Sequence, residues 1–220
     1  GESGSGKTTL ARCILGLTPP TAGSITLGGR DLATATGKSL RELRRHVQPV
    51  FQDPYASLDP RWSVARTIRE PLDAYGVGTP QEREARVDQL LDQVGLGSRM
   101  RDRRPHELSG GQRQRVGIAA ALALGPELIV ADEPVSALDA SVRGEILGLM
   151  LKLVQETGVS ILAITHDLGL AWNIADRVAV MYLGRIVELG TTEQVLEDPQ
   201  HPYTKALLSV VPETKRMRQQ

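Results

Sequence analysis

"GESGSGKTTL", residues 1–10, decides the fold. Gly1, Gly6, Lys7 and Thr8 fit the spacing G-x-x-x-x-G-K-[ST]. Glycines let the chain curl so that successive N–H groups face phosphate oxygens. Lys7 supplies a point charge to the β- and γ-phosphates, and Thr8 offers a hydroxyl to Mg²⁺. A helix starting there adds a partial positive charge. Gly4, Ser5 and Thr9 complete the expected phosphate contacts. The bland reading of the same residues is a glycine-rich turn. A phosphate loop of this kind follows a buried strand and opens a helix, so a parallel α/β sheet is expected around it. With Gly1 at the first position, the expectation is a fragment of a longer subunit that lacks its N-terminal strands.

Other segments extend this reading. Asp132 and Glu133 follow the apolar run Leu128-Ile129-Val130-Ala131. A carboxylate at the C-terminal end of a buried parallel strand faces the crevice where α/β folds bind ligands. Asp132 would hold Mg²⁺ through water, and Glu133 would act as general base for the attacking water. Without the phosphate loop, a solvated acidic pair would explain them as well. His166 follows a third apolar strand, "SILAIT", which can lie beside that of Asp132. Its ring could then reach the γ-phosphate, although a lone strand-end histidine is often structural. Gln52 follows "VQPVF" and can bring its amide to metal and water.

In "LSGGQ", Leu108–Gln112, a serine and two glycines precede a helix. Ser109, Gly110 and Gly111 can form a second anion-binding nest with free N–H groups at a positive helix end. An ordinary serine N-cap with a glycine turn fits equally well. A chain with one γ-phosphate site and two phosphate-binding devices is explained most simply if the second device serves another chain's nucleotide.

The remaining pattern fits an α/β core. Lys7 to Leu17 reads as a helix, "GSITLGGRDL" as a short strand and glycine turn, and "HVQPVFQ" as a strand. In "TPQEREARVDQLLDQVGL" Thr79 can cap, Pro80 suits the first helical position and Glu82 sits three residues after the cap. "ELIVADE" and "VSILAITHD" read as buried strands around a helix with Val142, Ile146, Leu149 and Leu153 on one face. "DRVAVMYLGRIVELG" reads as a hairpin about Leu183-Gly184. Alternating strands and helices imply a mostly parallel sheet covered on both faces. The expected organisation is a phosphate-loop α/β core over 1–53 and 125–190, an inserted helical block over 54–124, and a tail over 191–220.

Composition narrows the classes. Lys+Arg and Asp+Glu each number 26, so no global charge attracts nucleic acid or membrane. The Arg-rich run from Arg99 to Arg104 lacks interleaved aromatics and reads as a solvated loop. No nucleic-acid partner is expected. One cysteine, Cys13, permits no internal disulfide and is expected as a buried thiol on the first helix. No apolar run approaches the ~18 residues of a membrane span.

Taken in order, GESGSGKT, Gln52, LSGGQ, LIVADE, "SALD" (Ser136 to Asp139) and His166 resemble the ATP-binding subunit of an ABC transporter. The resemblance implies a P-loop NTPase (RecA-like) core and head-to-tail dimers burying two ATP molecules. Each ATP would be held by Lys7 and its loop from one chain and by Ser109, Gly110, Gly111 and Gln112 from the other, with Mg²⁺ on Thr8, Gln52 and Asp132. Glu133, His166 and Gln52 would be catalytic, and Asp139 would touch the partner's site. "FQDPYASLDPR", Val135 and the tail "HPYTKALLSVVP" are similar to the peptide/nickel import group. That group implies two transmembrane permease subunits, docked around Tyr55 to Glu70, an extracytoplasmic solute-binding protein, and a peripheral position on the cytoplasmic face of the membrane. The family also implies an adenine-stacking aromatic before Gly1. Alternatives are a soluble ABC ATPase of translation or DNA repair, or a regulatory module that binds ATP without hydrolysing it.

Overall fold

The structure is a computed structural model describing residues 1–209, the side chains of Pro54 and Tyr55 excepted. The end of the expected tail, 210–220, and the Tyr55 side chain of the expected docking surface lie outside the described residues. The chain folds as two compact units, Arg12–Ala163 and Gly1–Ala11 with the chain from Ile164 onward. The first helix, α1 (Lys7–Ile14), runs across the division. It stops three residues short of the predicted Leu17, where Gly16 takes a left-handed φ of 64°. Cys13 on this helix is half-buried rather than buried, so its thiol is not sealed in the core.

In the larger unit, β1 (Thr26–Leu27) and β2 (Arg30–Asp31) pair across Gly28-Gly29. Helix α2 (Gly37–His46) leads into β3 (Val47–Val50). From there to Leu122 the chain forms only helices and turns: α3 (Pro54–Ser57), α4 (Val64–Tyr75), α5 (Pro80–Gln93), two 3-10 turns and α6 (Gly110–Leu122). Thr79 and Glu82 form the expected capping box on α5, with Pro80 at its start. Val87, Leu90 and Leu91 on α5 and Ile68 on α4 are fully buried, as helical spacing of apolar residues requires.

Outside that core, a run of ion pairs ties α4 and α5 to the loop beyond. Arg69 and Arg83 bind Asp73 at 3.0 and 2.7 Å; Arg69 and Arg101 both bind Glu84, and Arg101 also binds Asp88. The hydrogen bond from Arg69, opposed by burial and reinforced by Arg101, holds the Glu84 carboxyl below the usual glutamate range.

Strand β4 (Leu128–Asp132) pairs parallel with β3, Val47 opposite Leu128. Helix α7 (Ala140–Thr157) buries Ile146, Leu149 and Leu153 as predicted. Strand β5 (Ser160–Ile164) completes a three-stranded sheet in the order β3-β4-β5. The expectation of a buried β5 fails: Ser160 and Leu162 are exposed and only Ile164 is buried. Among the described residues β5 pairs with β4 alone, and its other side has no strand to cover it.

The second unit holds α8 (Leu168–Ile174), β6 (Arg177–Tyr182), β7 (Arg185–Thr191), α9 (Thr192–Glu197) and α10 (Pro202–Ser209). β6 and β7 form the expected antiparallel hairpin, with Tyr182 opposite Arg185. Leu183 and Gly184 take φ of 46° and 77°, the two positive values a two-residue turn of primed type needs. Val178, Val180, Val195, Leu196 and Leu208 form this unit's core, with Trp172 and Tyr203 packed against it.

Candidate active site

The phosphate loop belongs to the second unit. Gly4 and Gly6 take φ of 80° and 98°, where an L side chain is strained. A Cβ on Gly6 would also meet Met181 Cε and Gly184 Cα at 3.5 Å. The loop therefore lies in contact with the β6–β7 turn, and Gly184 N–H donates to Ser5 O at 3.0 Å. Ser5 is buried, while Thr8 and Thr9 are exposed on the first turn of α1. The Lys7 ammonium donates to the Gly1 and Glu2 carbonyls, both at 2.7 Å, and to Ser5 Oγ at 3.4 Å. Its charge is thus held by the carbonyl dipoles of its own loop.

His166 lies in the same unit, just beyond β5, with its side chain exposed. The residues around it are fixed by short-range bonds. Asp167 N–H donates to Thr165 Oγ1 at 2.9 Å, and Asp167 Oδ1 accepts from Gly169 and Leu170, capping α8. "THD" is therefore a strand exit and a helix cap at once, a signal that the Asp167-to-helix spacing carries in sequence.

The carboxylates belong to the larger unit. Asp132 is the last residue of β4, the central strand of the three, and is half-buried. Glu133 comes next with φ of 46°, a left-handed conformation that costs a non-glycine residue about 1–2 kcal/mol. That bend turns the chain sharply off the strand. Its own carbonyl accepts from Ser136 N and Ser136 Oγ, which closes the turn. Gln52 Nε2 donates to Glu133 Oε2 at 3.1 Å, so two residues 81 positions apart form one pair. A carboxylate held by an amide donor, at a strand end and on a strained turn, suits a proton acceptor whose direction matters.

Ser109 begins α6. Its hydroxyl accepts from Gln112 N, and Gln112 Oε1 accepts from Ser109 N, a reciprocal capping box. The expectation that the nest's N–H groups are free is corrected at these two positions, which are satisfied within the chain. The N–H groups of Gly110 and Gly111 stand at the first helical positions, which have no intrahelical acceptor. Packing restricts both glycines, Gly111 far more than Gly110. A Cβ on Gly111 would fall 2.5 Å from Val142 Cγ1, and one on Gly110 would fall 3.3 Å from Leu138 Cδ2.

Asp139 is the exposed N-cap position of α7 and makes no side-chain cap. The loop before it is held by a residue sequence reading missed. Arg143 Nε donates to Leu138 O at 2.8 Å and Nη2 to Ser136 O at 3.3 Å. An arginine four residues after the cap is the only sequence signal for that clasp.

Comparison with known proteins gives a consistent result. Residues 1–136 match the ABC transporter family, and residues 187–220 match the oligopeptide/dipeptide transporter C-terminal region. A peptide import ATP-binding protein of Brucella ovis is 50% identical over 96% of this chain and 67% of its own length. The glutathione import ATP-binding protein GsiA of Pectobacterium atrosepticum is 51% identical over the whole chain, which spans 35% of that protein. Among solved structures, cbiO1 of Clostridium perfringens, part of the ABC transporter complex cbiONQ, aligns with a TM-score of 0.81. It shares 30% identity over 98% of this chain and 83% of its own. The dimeric post-hydrolysis ATP-binding cassette MJ0796, bound to ADP and Pi, aligns with a TM-score of 0.76. It shares 32% identity over 87% of this chain and 82% of its own.

Proposed function

Because this chain belongs to the ABC transporter family of ATPases, we propose that it couples ATP hydrolysis to the import of peptides or similar small solutes. The import class is supported by the C-terminal match and by relatives named for peptide and glutathione import. Those relatives do not favour the translation, repair or non-hydrolysing alternatives. Among the described residues no helix is long and apolar enough to cross a membrane. We place the subunit on the cytoplasmic face of the membrane, against two permease subunits that receive solute from a binding protein. It would pair head-to-tail with a second, identical or related ATPase.

The observation that carries the hydrolytic reading is the Gln52–Glu133 pair on the left-handed turn after β4. Glu133 takes a proton from water as the water oxygen bonds to the γ-phosphorus. The bond from that phosphorus to the bridging oxygen breaks, and ADP keeps the oxygen. Lys7 leaves its loop carbonyls to neutralise phosphate charge, while Gly4, Ser5, Gly6, Thr8 and Thr9 present N–H groups to it. Ser109, Gly110 and Gly111 of one chain serve the nucleotide of the other, with Gln112 holding Ser109 in place. Asp139 lies toward that partner, and His166 orients water and γ-phosphate. Thr8, Gln52 and Asp132 are oxygen donors, the kind Mg²⁺ prefers, and they would hold it with water filling the remaining positions. When bound, the ion neutralises charge on the phosphates.

Glu133→Gln in the full-length subunit tests this reading. Hydrolysis should fall by about 10²–10⁴ while an ATP-bound dimer accumulates. Wild-type turnover in that variant would overturn the assignment.

A further inference from the structure

The tail has no part in the chemistry just described, yet one of its side chains reaches the phosphate loop. Glu188 on β7 accepts from Gln200 N at 2.7 Å and from His201 N at 3.2 Å. His201 Nδ1 accepts from Tyr203 N at 3.1 Å. These bonds fix the start of α10 and aim Tyr203. Its ring lies on Tyr182, with centroids 4.2 Å apart and planes tilted by 33°. Its hydroxyl accepts from Glu2 N at 3.1 Å.

Glu2 N and Gly1 O belong to one peptide unit. Tyr203 holds its N–H, and the Lys7 ammonium rests on its C=O at 2.7 Å. A peptide is planar, so fixing one side orients the other. We propose that Tyr203 is a positioning residue for ATP binding: its hydroxyl orients the Gly1–Glu2 peptide and thereby sets the resting place of Lys7. The region shared with oligopeptide/dipeptide transporters is then a working part of the nucleotide site as well as a cover for the hairpin core. This inference rests on reading Gly1–Thr8 as the ATP phosphate loop.

Tyr203→Phe keeps the ring and removes only the acceptor. In the full-length subunit within the assembled transporter, KM for ATP should rise about two- to tenfold, the equivalent of one hydrogen bond, with kcat changed less than about twofold. Hydrogen exchange at the Glu2 amide should quicken while the melting temperature holds. Tyr182→Leu provides the contrast, because it weakens the ring contact and leaves the hydroxyl. It should lower melting temperature more than it changes KM. Wild-type KM in Tyr203→Phe, unaltered Glu2 exchange, or KM that merely follows melting temperature across both variants would each overturn the proposal. Absence of ATP hydrolysis by the wild-type transporter would instead overturn the phosphate-loop reading, and this proposal with it.

Discussion

Gly111→Ala separates the packing role of the signature glycines from any role toward nucleotide. The added Cβ would stand 2.5 Å from Val142 Cγ1, against the ~3.5–4.0 Å at which carbon atoms rest. The obstacle is a β-branched side chain on a long helix, so about 1 Å of displacement must come from α6, α7 or the Val142 rotamer. Overpacking of this kind costs about 1–3 kcal/mol. Alanine's better helix propensity returns less than about 1 kcal/mol. The net loss should lower the melting temperature by about 2–9 °C in a domain of this size. Val142→Ala removes the offending Cγ1, so the double variant should be more stable than the sum of the two single changes by about 1 kcal/mol or more. Thermal and denaturant melts of all four proteins measure this, with ATPase rates taken in parallel. If Gly111→Ala melts like wild type, or Val142→Ala fails to rescue it, the packing argument is wrong. If stability returns in the double variant and hydrolysis does not, the Gly111 backbone acts on nucleotide as well.

Two further outcomes follow from the larger unit. Glycine tolerates the φ of Glu133, so Glu133→Gly should be more stable than Glu133→Ala by about 1 kcal/mol, while both lose hydrolysis. Equal melting temperatures would show that the turn is not strained. The Glu84 carboxyl is held below its ordinary pKa, so its stabilisation is complete above that value and fades as pH falls through the lowered one. The stability gap between wild type and Glu84→Gln should therefore shrink below about pH 4. It should also shrink at high salt and stay within about 1 kcal/mol per exposed pair. A gap independent of pH would remove Glu84 from the account.

Local chemistry was legible in the sequence. Thr79 with Glu82, and Leu183 with Gly184, announce a helix start and a tight turn through atoms only a few positions apart. The order of phosphate loop, signature and strand-end carboxylates likewise pointed to the family that residues 1–136 match. Features that depend on distant partners did not show. The apolar run of β5 could not reveal that Ser160 and Leu162 stay exposed among the described residues, because burial depends on partners distant in sequence. Gln52 and Glu133 each looked polar and strand-terminal, and only folding makes them a pair. The free nest expected at Ser109 underestimated Gln112, whose amide takes back one of the N–H groups. Tyr203 read as part of a Pro-ordered tail, since nothing near it in sequence mentions Glu2.

The resting bonds of Lys7 make the loop its own competitor. Two carbonyls and a hydroxyl stand ready at hydrogen-bond distance before any phosphate arrives. Tethered acceptors of this kind act at a high effective concentration. On the proposed reading of this loop as the ATP phosphate site, an incoming phosphate would have to displace them and a departing one would be replaced by them. Such an arrangement would weaken capture and favour release, as a subunit that turns over its nucleotide on every cycle requires.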